Sequence, residues 1–547
     1  MRLGDLLIQK GILNEQQLRI ALQEQNITGN LLGSILVTLG FVASREIAAI
    51  LAQQSNLEFI DLTEYVIPEE ALRAVPRDVA ERAEFIPLQY ENGVMSIGVT
   101  NPTNIRAVDI VTQLTGMPAK IFMVDTEGFY QALERAYYFL ENPIPKKIEG
   151  IVNEARNVVE PQGNTIAELT DLLIMDGIRR HATDIHFRPM ENSVHIFFRI
   201  DGVMSHIYCV PKNMQNGIIS RIKIMAQLNI AETRLPQDGS FPFEFLSSIY
   251  DMRVSLVPTI FGENVVIRIL HASSSVLRLN TLGFDEHDTR ILRTQFAKPY
   301  GIILITGPTG SGKTTTLYSA LREIDLLGKN VMTVEDPVEY RLSMVRQTQV
   351  NIKAGYDFAL AGRNFMRQDP DVILLGEIRD EETAAISVRA AITGHLVLST
   401  LHTNDAITAI PRLVDLGVDK FMLASSIRAI VAQRLLRKLC PYCKTQCEYP
   451  PGAFRDMELP ELEGIVMAGY RGRGCTACNY SGYLGRTVAG EILVVDDPMR
   501  EMIYQGGSLQ MIRERAINNG MRLMREDALE KAAAGITSYE EIVRVIG

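Results

Sequence analysis

The residues best suited to chemistry are Gly307-Pro308-Thr309-Gly310-Ser311-Gly312-Lys313-Thr314, a glycine-rich turn that follows the apolar run Gly301 to Thr306 and leads into Thr315. Glycines at these spacings let successive backbone N–H groups curl around a polyphosphate, a lysine reaches the outer phosphates as a point charge, and a threonine hydroxyl serves Mg²⁺. Leu317 to Leu326 then reads as the helix whose positive N-terminal end faces the anion. All parts of the pattern are present in the required order of strand, loop and helix, so the residues predict a site for a nucleoside triphosphate with Mg²⁺.

Three polar clusters downstream each end an apolar run. Val331 to Glu339 carries Glu335 and Asp336, Asp371 to Asp380 carries Glu377, and Gly394 to Thr403 puts His402 at a third strand end. Such clusters are expected at the carboxyl edge of a parallel sheet. In-line hydrolysis needs one carboxylate near Mg²⁺ and one that orients the attacking water. Glu335, Asp336 and Glu377 are the candidates, with Lys313 and His402 beside them; which of Glu335 and Glu377 activates water stays open at this level.

Five of the six cysteines crowd between Cys440 and Cys478. Cys440-Pro-Tyr-Cys443 and Cys475-Thr-Ala-Cys478 have the spacing of two zinc knuckles, so four thiolates converge on one Zn²⁺ in a closed, structural site. Cys447 is a fifth thiol outside the pattern. Cys209, alone in a strand-like run, reads as a buried small hydrophobe.

The elements that must position these groups need several cores. A chain of 547 residues is long enough for about three to five domains. Its net charge of -10 counts against a motor that relies on a dominant basic surface, which places a nucleic-acid translocase second. No apolar run approaches the roughly twenty residues that span a bilayer, and the N-terminus lacks a signal-peptide core, so a cytoplasmic location is expected. Over the first sixty residues Arg2-Leu3-Gly4, Gly11, Leu18, Leu22 and Gln25 recur twenty-nine positions later as Leu31-Leu32-Gly33, Gly40, Ile47, Leu51 and Gln54, which predicts two copies of one helical unit. On periodicity the leucines are core and the glycines end helices. Strand-like runs follow near Phe85 to Tyr90 and Val94 to Val99, then a helix near Thr126 to Tyr138. Glu141 to Asn164, with Pro143, Pro145 and Pro161, reads as a partly extended linker. From Ile166 the pattern is α/β again, with a helix to Arg180, a strand from Ser193 to Arg199 and a turn at Asp201-Gly202. His181, Asp184 and His186 lie close together but lack convincing further ligands for a metal.

Several of these segments resemble, nearly letter for letter, the secretion ATPases of type II secretion systems and type IV pilus assembly, including the MSHA-type pilus extension ATPases. They are Glu335-Asp-Pro-Val-Glu339, Arg367-Gln-Asp-Pro-Asp371, Gly376-Glu-Ile-Arg-Asp380 and Thr393 to Asn404, with Ser220 to Met225, Arg234 to Gly239 and Gly262 to Arg268 upstream. The resemblance runs from about Thr165 to the C-terminus. It implies an α/β chain with a RecA-like P-loop ATPase domain, a PAS-like α/β domain, a four-cysteine zinc insert and a ring of six copies with ATP at the border between protomers. The implied cargo is a pilus or a secretion pseudopilus, built through an inner-membrane platform protein. Extension is favoured over retraction, because the retraction ATPases resemble only the central part of the chain. Residue by residue, Glu335 and Asp336 match the family's Asp box, Glu377 its Walker B glutamate, His395 and His402 its His box, and Arg199 and Arg234 arginines that reach toward nucleotide. Phe197, Thr233 and Ser240 stand where relatives usually carry arginine.

The doubled motif resembles the N-terminal module that binds cyclic di-GMP in some relatives. Arg2, Leu3, Gly4, Leu7, Gly11, Leu18, Leu22 and Gln25, then Leu32, Gly33, Leu36, Gly40, Ile47, Leu51 and Gln54 match it, with Leu31 where the first copy has Arg2. A dinucleotide with two guanines suits a doubled site, arginine taking phosphate or guanine edges and leucines lying against the bases; a docking bundle for another component is the alternative. The expected divisions are an N-terminal module at 1–140, a linker at 141–164, the PAS-like domain at 165–275, the ATPase domain at 276–435, the zinc insert at 436–490 and a C-terminal helical region at 491–547.

Overall fold

The repeat of twenty-nine residues folds as the same helix pair twice: Leu3–Gln9 with Glu15–Thr28, then Leu32–Thr38 with Ser44–Gln54. The computed structural model describes residues 3–63, 65–91, 93–156, 158, 162–271, 278–449 and 467–547, and these fall into two compact units, up to 274 and from 275 onward. Arg2 and part of the 141–164 segment therefore lie outside the described residues.

In the first unit, the bundle core is Leu7, Leu13, Ala21, Ile35, Leu36, Val42 and Ile50. Next comes a small sheet of β1 (Phe85–Glu91), β2 (Val94–Val99) and β3 (Ala119–Met123), with β1 antiparallel and β3 parallel to the central β2. The helix Thr126–Glu141 buries Phe129, Ala132, Leu133 and Tyr137 in the same core.

The segment expected as an extended linker is instead largely the helix Ile144–Ala155. Pro145 sits in its first turn, where a missing N–H costs nothing. Ile144, Ile148 and Val152 recur every fourth residue and join the core of the following domain. That domain is a six-stranded antiparallel sheet of order β6-β5-β4-β9-β8-β7, comprising β4 (Ala182–Pro189), β5 (Ser193–Ile200), β6 (Val203–Pro211), β7 (Gln237–Phe245), β8 (Ser248–Thr259) and β9 (Gly262–His271). The helices Gly163–Arg179 and Gln215–Met225 add their apolar sides to its core. Cys209 is exposed on the edge strand β6, not buried as its run suggested, because alternation along an edge strand turns it to the open face.

The second unit is built on β10 (Gly301–Thr306), β11 (Val331–Glu335), β12 (Arg346–Gln349), β13 (Val372–Leu375), β14 (Leu396–Leu401), β15 (Ile427–Leu439) and β18 (Tyr483–Val494), in the order β12-β11-β13-β14-β10-β15-β18. All pairings are parallel except β15 with β18. The strands β10, β13 and β14 are buried throughout, as a sheet covered on both faces requires. Strand β15 runs on to Leu439 and β18 starts at Tyr483, so the insert occupies about 440–482, and the expected boundaries at 435 and 490 cut through strands. Within the insert, β16 (Lys444–Tyr449) pairs with β17 (Met467–Gly472). Four helices between Asp497 and Ile546 complete the unit.

Candidate active site and metal centre

The loop after β10 rises at a switch point, with β14 on one side of its strand and β15 on the other. A Cβ on Gly307 would stand 2.6 Å from both the Gln433 carbonyl oxygen and Ser311 Oγ, so the tight first turn admits only glycine. Gly312, at φ +86°, precedes the helix Lys313–Glu323, whose first N–H groups have no side-chain cap. Uncapped N–H groups at a helix start are an anion seat. Gln433 braces the loop from β15: its Nε2 donates to Ser311 O at 2.7 Å, and Thr316 Oγ1 donates to its Oε1 at 2.9 Å. Thr306 Oγ1 lies 2.7 Å from Thr403 Oγ1 and accepts the Thr403 N–H at 2.9 Å, which joins the segment after β14 to the residue before the loop.

Lys313 Nζ donates to the Gly307 and Pro308 carbonyls at 2.8 and 3.0 Å. Burial pushes its ammonium down to about 8; the Glu377 carboxylate acts against that shift and the Arg434 guanidinium with it. Thr309, Gly310 and Thr314 are exposed along the loop and Thr315 is half-buried. The site is thus a half-buried cation at an uncapped helix start.

Both acids stand at neighbouring strand ends, as expected. The Gly376 N–H donates to Val334 O at 2.9 Å, bringing the chain before Glu377 against Glu335. Their surroundings differ. Glu335 is 4 % exposed and accepts from three donors: Thr333 Oγ1 at 2.6 Å and Gln347 Nε2 at 3.2 Å on Oε1, and the Tyr318 hydroxyl on Oε2. Glu377 pairs with Arg379, and its Oε2 lies 3.4 Å from His402 Nε2. Asp336 is exposed at the start of the following turn.

His395 does not belong to this group. It precedes β14 while His402 follows it, about 23 Å apart at roughly 3.3 Å per residue. Its Nδ1 lies 2.9 Å from the Ala390 carbonyl. Arg199 and Arg234 belong to the first unit. Arg199 lies 3.6 Å from Asp184, which also takes Arg268 at 3.1 Å, while the Arg234 side chain is 87 % exposed beside Glu232. Sequence reasoning missed Tyr318, Gln347, Gln433 and Arg434; only Gln433, a polar residue inside the apolar run before Leu435, carried a visible signal.

The four paired cysteines converge as their spacing predicts. Sγ distances are 3.8 Å for Cys440 to Cys475, 3.9 Å for Cys443 to Cys478 and 3.8 Å for Cys475 to Cys478, with all four within 4.8 Å of one another. Tetrahedral ligands at about 2.3 Å from a zinc ion stand about 3.8 Å apart, so the donor set fits. Burial raises the thiols of Cys440 and Cys443. Burial acts the same way on Cys478, but the Cys475 and Gly482 N–H groups, each 3.2 Å from its Sγ, outweigh it and hold the thiol at about 7. Cys447 stays apart, half-buried on β16.

In the helical repeat, a Cβ on Gly4 would come within 2.8 Å of Leu18 Cδ1, so the glycine lets two helices touch. Leu3, Leu18 and Leu32 are only partly buried against the core, Gly33 is half-buried, and Leu22 is 41 % exposed. Gly11 is exposed just past the first helix and Gln54 at the end of the fourth, and Gln25 Nε2 donates to Asn30 O at 3.0 Å. The expectation that the motif leucines form the core holds at Leu7 and Leu36, both fully buried, and fails at Leu22, whose neighbour Ala21 is buried instead.

The family description "Type II/IV secretion system protein" matches residues 160–544. The chain belongs to the type II/IV secretion ATPases. A second description, "MshEN domain", matches residues 55–142, the α/β half of the expected N-terminal module. Similar relatives are the type IV pilus assembly ATPase PilB of Myxococcus xanthus (strain DK1622), 39 % identical over 99 % of this chain and 98 % of the relative, and type II secretion system protein E of Dickeya dadantii (strain 3937), 40 % identical over 86 % and 96 %. The solved ATPase DotB of Legionella pneumophila has the same fold, with a TM-score of 0.50 and 23 % identity over 68 % of this chain and 95 % of that one. As a secretion ATPase the protein is an enzyme that hydrolyses ATP on a RecA-like motor domain. No helix among the described residues is long and apolar enough to cross a membrane.

Proposed function

We propose that this secretion ATPase powers the extension of a type IV pilus or a type II secretion pseudopilus, as a ring of six copies acting from the cytoplasm on an inner-membrane platform protein. The observation that carries the reading is the match along both full lengths to a pilus assembly ATPase, N-terminal module included. Lys313 and the uncapped helix start take the outer phosphates of ATP, and the Thr314 hydroxyl serves Mg²⁺. Glu377, whose charge Lys313 feels, lies on the metal side, with His402 and Arg379 holding its carboxylate. Glu335 orients the attacking water. Three donors occupy three of the roughly four acceptor sites of its carboxylate and fix its orientation, leaving one for water. Arg199 and Arg234 add positive charge from the smaller domain, with Phe197, Thr233 and Ser240 neutral where relatives carry arginine.

Zn²⁺ held by Cys440, Cys443, Cys475 and Cys478 would be a structural clip, since four thiolates leave no open position. The doubled helices would bind cyclic di-GMP through Arg2 and the half-exposed row of Leu18 and Leu22, and so tune the motor. A strain carrying Lys313→Ala tests the main reading. It should lose its pili or its secreted enzyme, and the product lost identifies the cargo; normal output of both would refute it. Native mass spectrometry with MgATP should give six copies per particle.

A further inference from the structure

We infer that Tyr318 is a positioning residue for hydrolysis: its hydroxyl holds the Glu335 carboxylate in the orientation that leaves one acceptor site for the attacking water. This rests on the reading of Glu335 as the water-orienting acid. Tyr318 lies on the helix Lys313–Glu323 and is 1 % exposed, so its ring needs no hydroxyl to pack. The hydroxyl nevertheless makes two hydrogen bonds, both to the acidic segment. It donates to Glu335 Oε2 and accepts the Glu339 N–H at 3.3 Å.

A buried carboxylate with free torsions would swing toward whichever donor approached it. Here Oε1 is pinned by Thr333 and Gln347, and Tyr318 is the donor the structure gives for Oε2. Removing that hydroxyl leaves the carboxylate hinged about its other oxygen. Tyr318 is also five residues from Lys313 on one helix, about 7.5 Å along its axis. The seat of the phosphates and the acid that aims water are thus joined through a single rigid element, and a movement of the helix on phosphate binding carries both.

Steady-state ATPase assays on the full chain separate this role from simple packing. Tyr318→Phe should lower kcat by about 10- to 100-fold, the loss expected for one hydrogen bond to a charged group, with KM for ATP within about twofold of wild type. Added to Glu335→Gln, the same substitution should cost less than about twofold more, because the group it acts through is already disabled. A Tyr318→Phe enzyme with wild-type kcat overturns the inference, and so does a loss that persists in full on the Glu335→Gln background, which would assign the tyrosine to packing. Full activity in Glu335→Gln alone removes the reading of that acid and the inference with it, whereas a dead Glu335→Gln beside an intact Tyr318→Phe removes only the inference. Should Tyr318→Phe not purify as a folded chain, the isosteric Thr333→Val reads the same orientation from the other oxygen, and wild-type kcat there overturns the inference equally.

Discussion

Raising the pH from 7.5 to 9.0 should weaken MgATP binding about eightfold, because the lysine that receives the phosphates loses its proton across that interval. Burial holds Lys313 at about 8, well below the ordinary lysine value, against the opposing pull of the Glu377 carboxylate, and its ammonium donates to carbonyls of its own loop. Phosphate oxygens beside the ammonium favour its charged form and raise its pKa in the complex. Binding above pH 8 must therefore take up a proton. Affinity is full while the free lysine is charged, below about 8, and falls as pH rises through that value. The charged fraction drops from about three quarters at pH 7.5 to about one tenth at pH 9.0, a factor of about eight or about 1.2 kcal/mol. Calorimetry in two buffers of different ionisation enthalpy measures both the affinity and the proton uptake, which should climb from about a quarter of a proton to about nine tenths. Lys313→Met should bind weakly and with no slope in this range. A flat affinity and no proton uptake in the wild-type protein would refute the reasoning, and would mean that solvent reaches Lys313 far better than its surroundings indicate.

Glu377→Gln should bind MgATP with an affinity near wild type yet hydrolyse it at least about 100-fold more slowly, as the charge beside Lys313 and the metal is lost while shape is kept; single-turnover kinetics measure it. Purified protein should carry one Zn²⁺ per chain by elemental analysis. The double substitution Cys443→Ser with Cys478→Ser should lose it, while Cys447→Ser should not. In the full chain cyclic di-GMP should give a calorimetric signal that Arg2→Ala weakens by about 10- to 100-fold, and Leu22→Asp should abolish it without lowering the melting temperature, because that side chain lies outside the core. No heat at high ligand concentration would leave the doubled helices as a docking bundle.

What the sequence made legible follows from how local each signal is. The phosphate loop, the three strand-end clusters and the paired cysteines are runs of a few residues whose chemistry is set by neighbours along the chain, and the structure places Lys313, Glu335, Glu377 and the four thiols as those runs imply. The helix Ile144–Ala155 was missed because its prolines outweighed an apolar period of four that only packing against the next domain makes decisive. The insert's limits were misjudged because β15 and β18 reach past the sheet as a long antiparallel pair, and a strand carries no mark where its partner stops belonging to the same layer. The family resemblance pairs His395 with His402, but a strand between two residues places them far apart, where a turn would have joined them.

Tyr318 and Gln347 are illegible for the opposite reason, and Gln433 shows only as a polar residue inside an apolar run. Each acts on a residue in a different element, and Tyr318 and Gln347 look alone like filler in a helix or strand. Their contacts share a pattern. Gln433 fixes the loop from β15, Thr403 fixes the residue before it from the segment after β14, and Tyr318 ties the helix after it to the end of β11. Three strands thus grip one phosphate-binding element at its start, its crest and its exit. A nucleotide that shifted this element by even a fraction of an ångström would strain hydrogen bonds in three directions, because a packed sheet of buried strands deforms less readily than the bonds at its edge. Local chemistry says where ATP sits, and the long-range bonds decide what moves when it does.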